Sequence, residues 1–346
     1  MNRHFKMARS CRHLNALIRW LILASYFFGQ VDADVVGWSY DTKRGGPSTW
    51  KDSYPDCAGL LQSPINIVTE DAEYHHKLQY ININNYSITD GVMMRLENKD
   101  GHTAEVVMSG KPVYIQEGSL PDVYKLEQFH FHWGAEDGRG SEHSIDGKFS
   151  PMELHLVHFQ DHLGNIAAAS THPFGLAVFA FLFKVVPQDN IKLNKLLKYF
   201  PKIVNASADV EIETFALRDI LPDVDHLDFY RYDGSLTTPP CSESVIWSVA
   251  VENIEISQNQ LNLFRNLSDD NHASLVDDFR PIQPEHNRLI TTTLRVSRYN
   301  RLNTTTQQSP KNNDGSMVTA CLLVLSPSLL SILHYSIVFN YFQICH

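Results

Sequence analysis

Between residues 34 and 302, short runs rich in Val, Ile, Tyr and Phe alternate with turn residues. Residues 78–83, 92–97, 104–108, 123–133, 153–159, 176–186 and 245–251 are such runs, and their length and composition predict strands. Helical patterning is confined to residues 190–199, 217–220 and 257–267, the last with Ser257 placed to cap it. There is no internal repeat and no interior linker. The pattern predicts one mainly β domain with a few surface helices.

Within that pattern, residues 128–134 read Gln-Phe-His-Phe-His-Trp-Gly. Phe129, Phe131 and Trp133 alternate with Gln128, His130 and His132, so a strand here places both imidazoles on one face. Two converging neutral imidazoles supply two of the ligands of a three-histidine zinc site. A third is available from Glu153-Leu-His-Leu-Val-His, where Glu153, His155 and Val157 share one face and Leu154, Leu156 and His158 the other. Periodicity alone admits either His155 or His158. The carboxylate of Glu153, two residues away on the same face, favours His155, because metal-bound imidazoles give their other N–H to an acceptor. Gln128 stands in the same relation to His130. His158 is then expected as a hydrogen-bonded core histidine on the back of the sheet.

The net charge of −10 argues against nucleic acid as a partner. Residues 1–33 carry Arg3, Lys6, Arg9, Arg12 and Arg19 against Asp32 alone, then an apolar stretch ending in Val-Asp-Ala, which reads as a signal peptide. Sequons at Asn85, Asn205, Asn266 and Asn303 fit passage through the secretory lumen. Cys57 and Cys241 are the only cysteines outside the two termini, and an oxidising compartment predicts a disulfide between them. Residues 303–316 form a polar stalk with a candidate anchor site at Asp314-Gly315-Ser316, and residues 317–346 an apolar tail without a basic flank. That arrangement ranks a glycosylphosphatidylinositol-anchor signal first, a retained transmembrane helix second and simple secretion third. Residues 34–302 are left as the functional domain, carried to the extracellular face of the plasma membrane.

The ordered set Gln62-Ser-Pro-Ile-Asn-Ile, residues 128–134, Gly140-Ser-Glu-His, residues 153–158, Ser235-Leu-Thr-Thr-Pro-Pro and Phe279-Arg-Pro-Ile-Gln-Pro resembles the α-class carbonic anhydrases over residues 38–298. The Cys57 and Cys241 pair is similar to the extracellular, membrane-anchored (carbonic anhydrase IV-like) branch. The resemblance implies a twisted, mostly antiparallel sheet of about ten strands with one Zn2+ at the base of a conical cleft. It implies zinc-dependent, reversible hydration of CO2 to bicarbonate and a proton by zinc-bound hydroxide. His130, His132 and His155 would be the ligands, supported by Gln128 and Glu153. Thr237 would act as gatekeeper, donating its hydroxyl hydrogen to Glu142. Val157, Val178, Leu236, Thr238, Val245 and Trp247 would line the substrate pocket. His102 would shuttle protons, and Tyr40 would belong to the solvent network. Asp100 and Glu105 stand where well-known relatives often carry amides. Ser63–Pro64 and Pro239–Pro240 are expected as cis peptide bonds. Besides CO2 and bicarbonate, the membrane anchor and an unspecified bicarbonate transporter are the partners expected. Two other readings are a non-catalytic binding or adhesion module, which the intact histidine set opposes, and zinc-dependent ester hydrolysis.

Overall fold

A strand covered by a core on one face must alternate its side chains. The computed structural model, which describes residues 37–78, 80–222 and 227–295, is built around such strands. The longer ones are β1 (Val92–Lys99), β2 (Thr103–Gly110), β3 (Tyr124–Trp133), β4 (Met152–Gln160), β5 (Leu176–Val186), β6 (Asp209–Ile212), β7 (Phe229–Gly234) and β8 (Val245–Ala250). They lie in the order β6-β1-β2-β3-β4-β5-β8-β7, and the short strands Thr291–Thr292 and Glu73–Tyr74 extend the β7 edge. Every neighbouring pair is antiparallel except β5 with β8 and the two short strands with each other. The expected mostly antiparallel sheet is thus observed, with ten strands along its main path.

One irregularity sets which way the central strand faces. The register of β3 against β4 shifts between Leu126 and Gln128. Before the shift the buried apolar side chains are Tyr124 and Leu126; after it they are Phe129, Phe131 and Trp133. A bulge adds one residue and inverts the alternation. All five of these side chains therefore enter the same core, and His130 and His132 turn to the opposite face.

The back of the sheet packs the larger core, with Phe129, Phe131, Leu154, Leu156, Phe179 and Phe181 among its members. The front carries a smaller one containing Val157, Val178, Val245, Trp247 and Tyr232. Residues 257–267 form the expected helix as Gln258–Arg265, closed by a capping box in which Ser257 and Gln260 satisfy each other's backbone N–H groups. Of the other two expected helices, residues 217–220 form a 3-10 turn, Leu217–Ile220, and residues 190–199 are cut to the single turn Asn194–Leu197. Asn190 is tied instead to Gln260 and Glu255, and Pro201 ends the segment in a 3-10 turn. The strand expected at residues 78–83 shrinks to Ile81–Asn82, because Leu78 closes a turn with His75.

Cys57 and Cys241 are disulfide-bonded across 184 residues. Ser63–Pro64 and Pro239–Pro240 are both cis. The signal, Asn303, the stalk and the tail lie outside the described residues, among which no helix is long and apolar enough to cross a membrane.

Candidate metal centre

β3 and β4 place His130 directly opposite His155, and His132 opposite Glu153. Ala180 of β5 is the next residue in the row. The three imidazole centroids are 5.0 Å (His130–His132), 5.2 Å (His130–His155) and 4.7 Å (His132–His155) apart. One nitrogen from each lies within 4.8 Å of the other two, a group able to hold a metal ion.

The supporting hydrogen bonds decide which nitrogens are free. His130 Nδ1 meets Gln128 Oε1 at 2.8 Å, and His132 Nδ1 meets the Asp278 carbonyl at 2.7 Å. His155 Nε2 meets Glu153 Oε1 at 2.7 Å. Each partner oxygen only accepts, so each of these ring nitrogens carries the proton and the opposite nitrogen keeps its lone pair. His132 Nε2 is accordingly buried without a hydrogen-bond partner. Burial, then the neighbouring histidines, hold His130 well below the usual imidazole range. Burial likewise lowers His132 despite the opposing pull of Glu142. Three neutral nitrogen donors, each oriented by an acceptor behind it, are the donor set Zn2+ takes, so the residues fit that ion.

Glu153 does more than its sequence position suggested. Its Oε1 also accepts from His143 Nδ1 at 2.6 Å, and its Oε2 accepts from the His143 backbone N–H at 2.8 Å. Burial opposes ionisation of this carboxyl, but His143 and His155 outweigh it and hold Glu153 well below the carboxylate range. His143 Nε2 lies 2.6 Å from the Tyr232 hydroxyl, itself 3.0 Å from Ser63 Oγ. Sequence reasoning assigned no role to His143, Tyr232, Asp278 or Arg280. Arg280 was present in a recognised motif; its guanidinium ties Gln62, Ser63 and Cys57 together while its backbone N–H donates to Glu142 Oε1 at 2.8 Å.

Glu142 is fully buried, with Oε2 3.6 Å from His132 Nε2 and 3.9 Å from His155 Nδ1. That Oε2 has no hydrogen-bond partner, so the hydrogen bond expected from Thr237 is not formed here. Thr237 is buried, and its segment is pinned by Cys241, whose N–H donates to the Thr238 carbonyl. Val157, Val178, Val245 and Trp247 form one buried cluster with Leu236 packed on it, and Thr238 lies half-buried at its margin. The Trp247 ring is 4.8 Å from that of His155 and its Nε1–H donates to the Ser235 carbonyl.

His102 occupies the turn joining β1 to β2, its ring 4.2 Å from Trp38 and its Nε2 3.1 Å from the Trp38 carbonyl. Gly101 at φ +73° is required there, since a Cβ would meet the Asp270 backbone nitrogen at 2.5 Å. His102 and Tyr40 line a common cavity of about 450 Å3. Burial, with Glu142 and Asp278, pushes the Tyr40 hydroxyl well above its usual range. His158, the other ligand choice, faces away: Nε2 meets Tyr86 Oη at 2.8 Å and Nδ1 meets the Ala177 carbonyl at 3.1 Å.

Residues 45–294 match the eukaryotic-type carbonic anhydrase family. Human carbonic anhydrase 7 is 36% identical over 267 residues, covering 75% of this chain and 98% of that protein. Mouse carbonic anhydrase 6 is 34% identical over 282 residues, 78% of this chain and 84% of the relative. A putative carbonic anhydrase 5 from Caenorhabditis elegans is 37% identical over 264 residues, 73% and 81% respectively.

Proposed function

This chain belongs to the eukaryotic-type carbonic anhydrase family, and from that premise we propose that it catalyses the zinc-dependent, reversible hydration of CO2 to bicarbonate and a proton. The observation that carries the reading is the convergence of three imidazole lone pairs, each fixed by a hydrogen bond on the far side of its ring. His130 and His132 through Nε2, and His155 through Nδ1, would hold the ion. When bound, Zn2+ supplies Lewis acidity and brings the pKa of a water to near about 7.

The remaining groups have separable tasks. Gln128, Glu153 and the Asp278 carbonyl hold the tautomers that keep the three nitrogens unprotonated. Val157, Val178, Leu236, Val245 and Trp247 give apolar CO2 a wall and exclude competing water from it. Thr237 would orient the reacting oxygen by accepting a hydrogen bond from its O–H, which requires the Thr237 hydroxyl to donate its own hydrogen to an acceptor. The unpartnered Oε2 of buried Glu142 is that acceptor in our reading. His102, half-exposed on a cavity that Tyr40 also lines, would carry the released proton outward.

For location we propose the extracellular face of the membrane, as in the carbonic anhydrase IV-like branch that the cysteine pair resembles. The disulfide suits an oxidising compartment, and Asn205 and Asn266 are exposed while Asn85 is half-buried. A polar stalk and apolar tail suit a lipid anchor.

Stopped-flow CO2 hydration with zinc content measured on the same sample tests the activity. One zinc per chain with fast hydration supports it; stoichiometric zinc without hydration sinks it and favours the binding-module reading. Treatment of expressing cells with a phosphatidylinositol-specific phospholipase tests the anchor, and a protein that stays on the membrane is not lipid-anchored.

A further inference from the structure

On the face of the sheet opposite the three histidines, at the β7 edge, lies a cavity of about 360 Å3 that the metal centre does not use. Its side of the sheet follows from register. Arg231 pairs with Ser248, which pairs with the back-core residue Phe179, whereas the adjacent Tyr232 pairs with the front-core residue Trp247. The cavity wall is formed by Leu78, Phe174, Ile246 and Leu289, with Phe174 45% and Leu289 60% exposed. Its volume falls within the small-molecule range.

Arg231 also lines this cavity and is only 8% exposed. Its Nε–H donates to Ser248 Oγ at 3.1 Å, its Nη1 to the Gly118 carbonyl at 2.9 Å, and its guanidinium stacks over Phe229. Nη2 has no hydrogen-bond partner. Burial lowers the group to about 10, which leaves it charged at neutral pH. A buried cation with an unused donor is costly, and an anionic acceptor would offset that cost. Asp233, on the same strand and exposed, also lines the cavity, and its carboxylate opposes a second negative charge on a ligand. The site therefore gains little from a multiply charged anion and must draw its affinity from apolar contact plus one carboxylate. We propose that this cavity binds a small apolar monocarboxylate, its carboxylate at Arg231 and its hydrocarbon body against Leu78, Phe174, Ile246 and Leu289.

4-Fluorobenzoate, followed by fluorine NMR on the purified protein, is the probe. A carboxylate can also bind a metal centre, so titrations are run on zinc-loaded and zinc-stripped samples. Expected is saturable binding of similar strength in both. Leu289→Glu and Arg231→Gln should weaken it at least about tenfold while CO2 hydration is unchanged. 4-Fluorobenzylamine and fluorobenzene should bind at least about tenfold more weakly than the carboxylate. Binding that vanishes with zinc, or survives Leu289→Glu at full strength, places the ligand elsewhere and overturns the proposal. So does an amine that binds as tightly as the acid. Leu289 is a surface side chain, so its variant keeps the test decisive even if Arg231→Gln fails to fold. Because hydration is read separately, a protein that binds the probe but does not hydrate CO2 leaves this inference standing and the proposed activity refuted.

Discussion

His155 and His158 leave the same strand three residues apart, 1% and 0% exposed, and reach opposite chemical states. On the front, His155 spends one nitrogen on Glu153 and holds the other among three converging imidazole nitrogens. On the back, His158 spends both, on Tyr86 and on the Ala177 carbonyl. Burial and residue type are alike. What differs is whether the surroundings satisfy the ring on one side or on two. A metal site in this fold is a place where the protein declines to complete a hydrogen-bond set, and a core histidine is one where it does not.

Truncation of each histidine breaks the comparison most severely. His155→Ala should abolish zinc binding and bring hydration to background while leaving a folded protein. His158→Ala should keep zinc and activity but lower stability by about 2–4 kcal/mol, through the cavity and the orphaned Tyr86 hydroxyl. Denaturant titration beside zinc assay separates the two. Loss of zinc in His158→Ala with retention in His155→Ala would invert the ligand assignment.

Acid should expose the back face next. Burial holds His158 at about 4, against 6.5 for the free group. The unfolded chain therefore binds the extra proton first. The stability of the neutral buried form is whole above pH 6.5 and is lost as pH falls from there toward 4. The difference corresponds to about 3 kcal/mol. A melting series from pH 7.5 to 4.5 should show His158→Gln losing less than the parent. Identical slopes would assign the acid sensitivity elsewhere.

Glu153→Gln sharpens the front side of the comparison. It removes the charge that fixes the His155 tautomer without changing the shape, so zinc affinity should fall by about 10–100-fold. Competition with a chelator measures this, and an unchanged affinity would mean that His143 and Glu153 serve packing alone. The smallest effect belongs to Glu105, which pairs with Glu97 on β1 and with His130 on β3. Burial, then Glu97, raise it to about 7. Its folded form keeps a proton that the unfolded chain has lost, so its contribution to stability declines as pH rises from the ordinary carboxylate range through 7. Glu105→Gln should melt higher than the parent at pH 8 and alongside it at pH 5.

Much of the fold and the site was legible beforehand because local rules coincide with global ones along the central strands. Gln128, His130 and His132 sit where period two puts them, and Glu153 and His155 follow on the next strand. The inversion at Glu127 could also have been read, since the apolar parity changes between Leu126 and Phe129. The helix over residues 190–199 was overestimated because Asn190 finds tertiary partners that a local pattern does not contain. Asp278 reaches His132 through its carbonyl, a contact to which its side chain gives no clue.

By itself the sequence determined the alternating strands, the pair of imidazoles on one face, the cysteine pair and the family, because each depends on residue type and spacing. Only the tertiary structure decided the rest. Cross-strand register set His155 directly opposite His130, and burial lowered the pKa of His130 and His132. A carbonyl 146 residues away fixed the tautomer of His132, and packing left Arg231 with a donor unspent on the far face. Lone pairs and unused donors are set by what each group meets in space, and spacing along a chain does not encode those meetings.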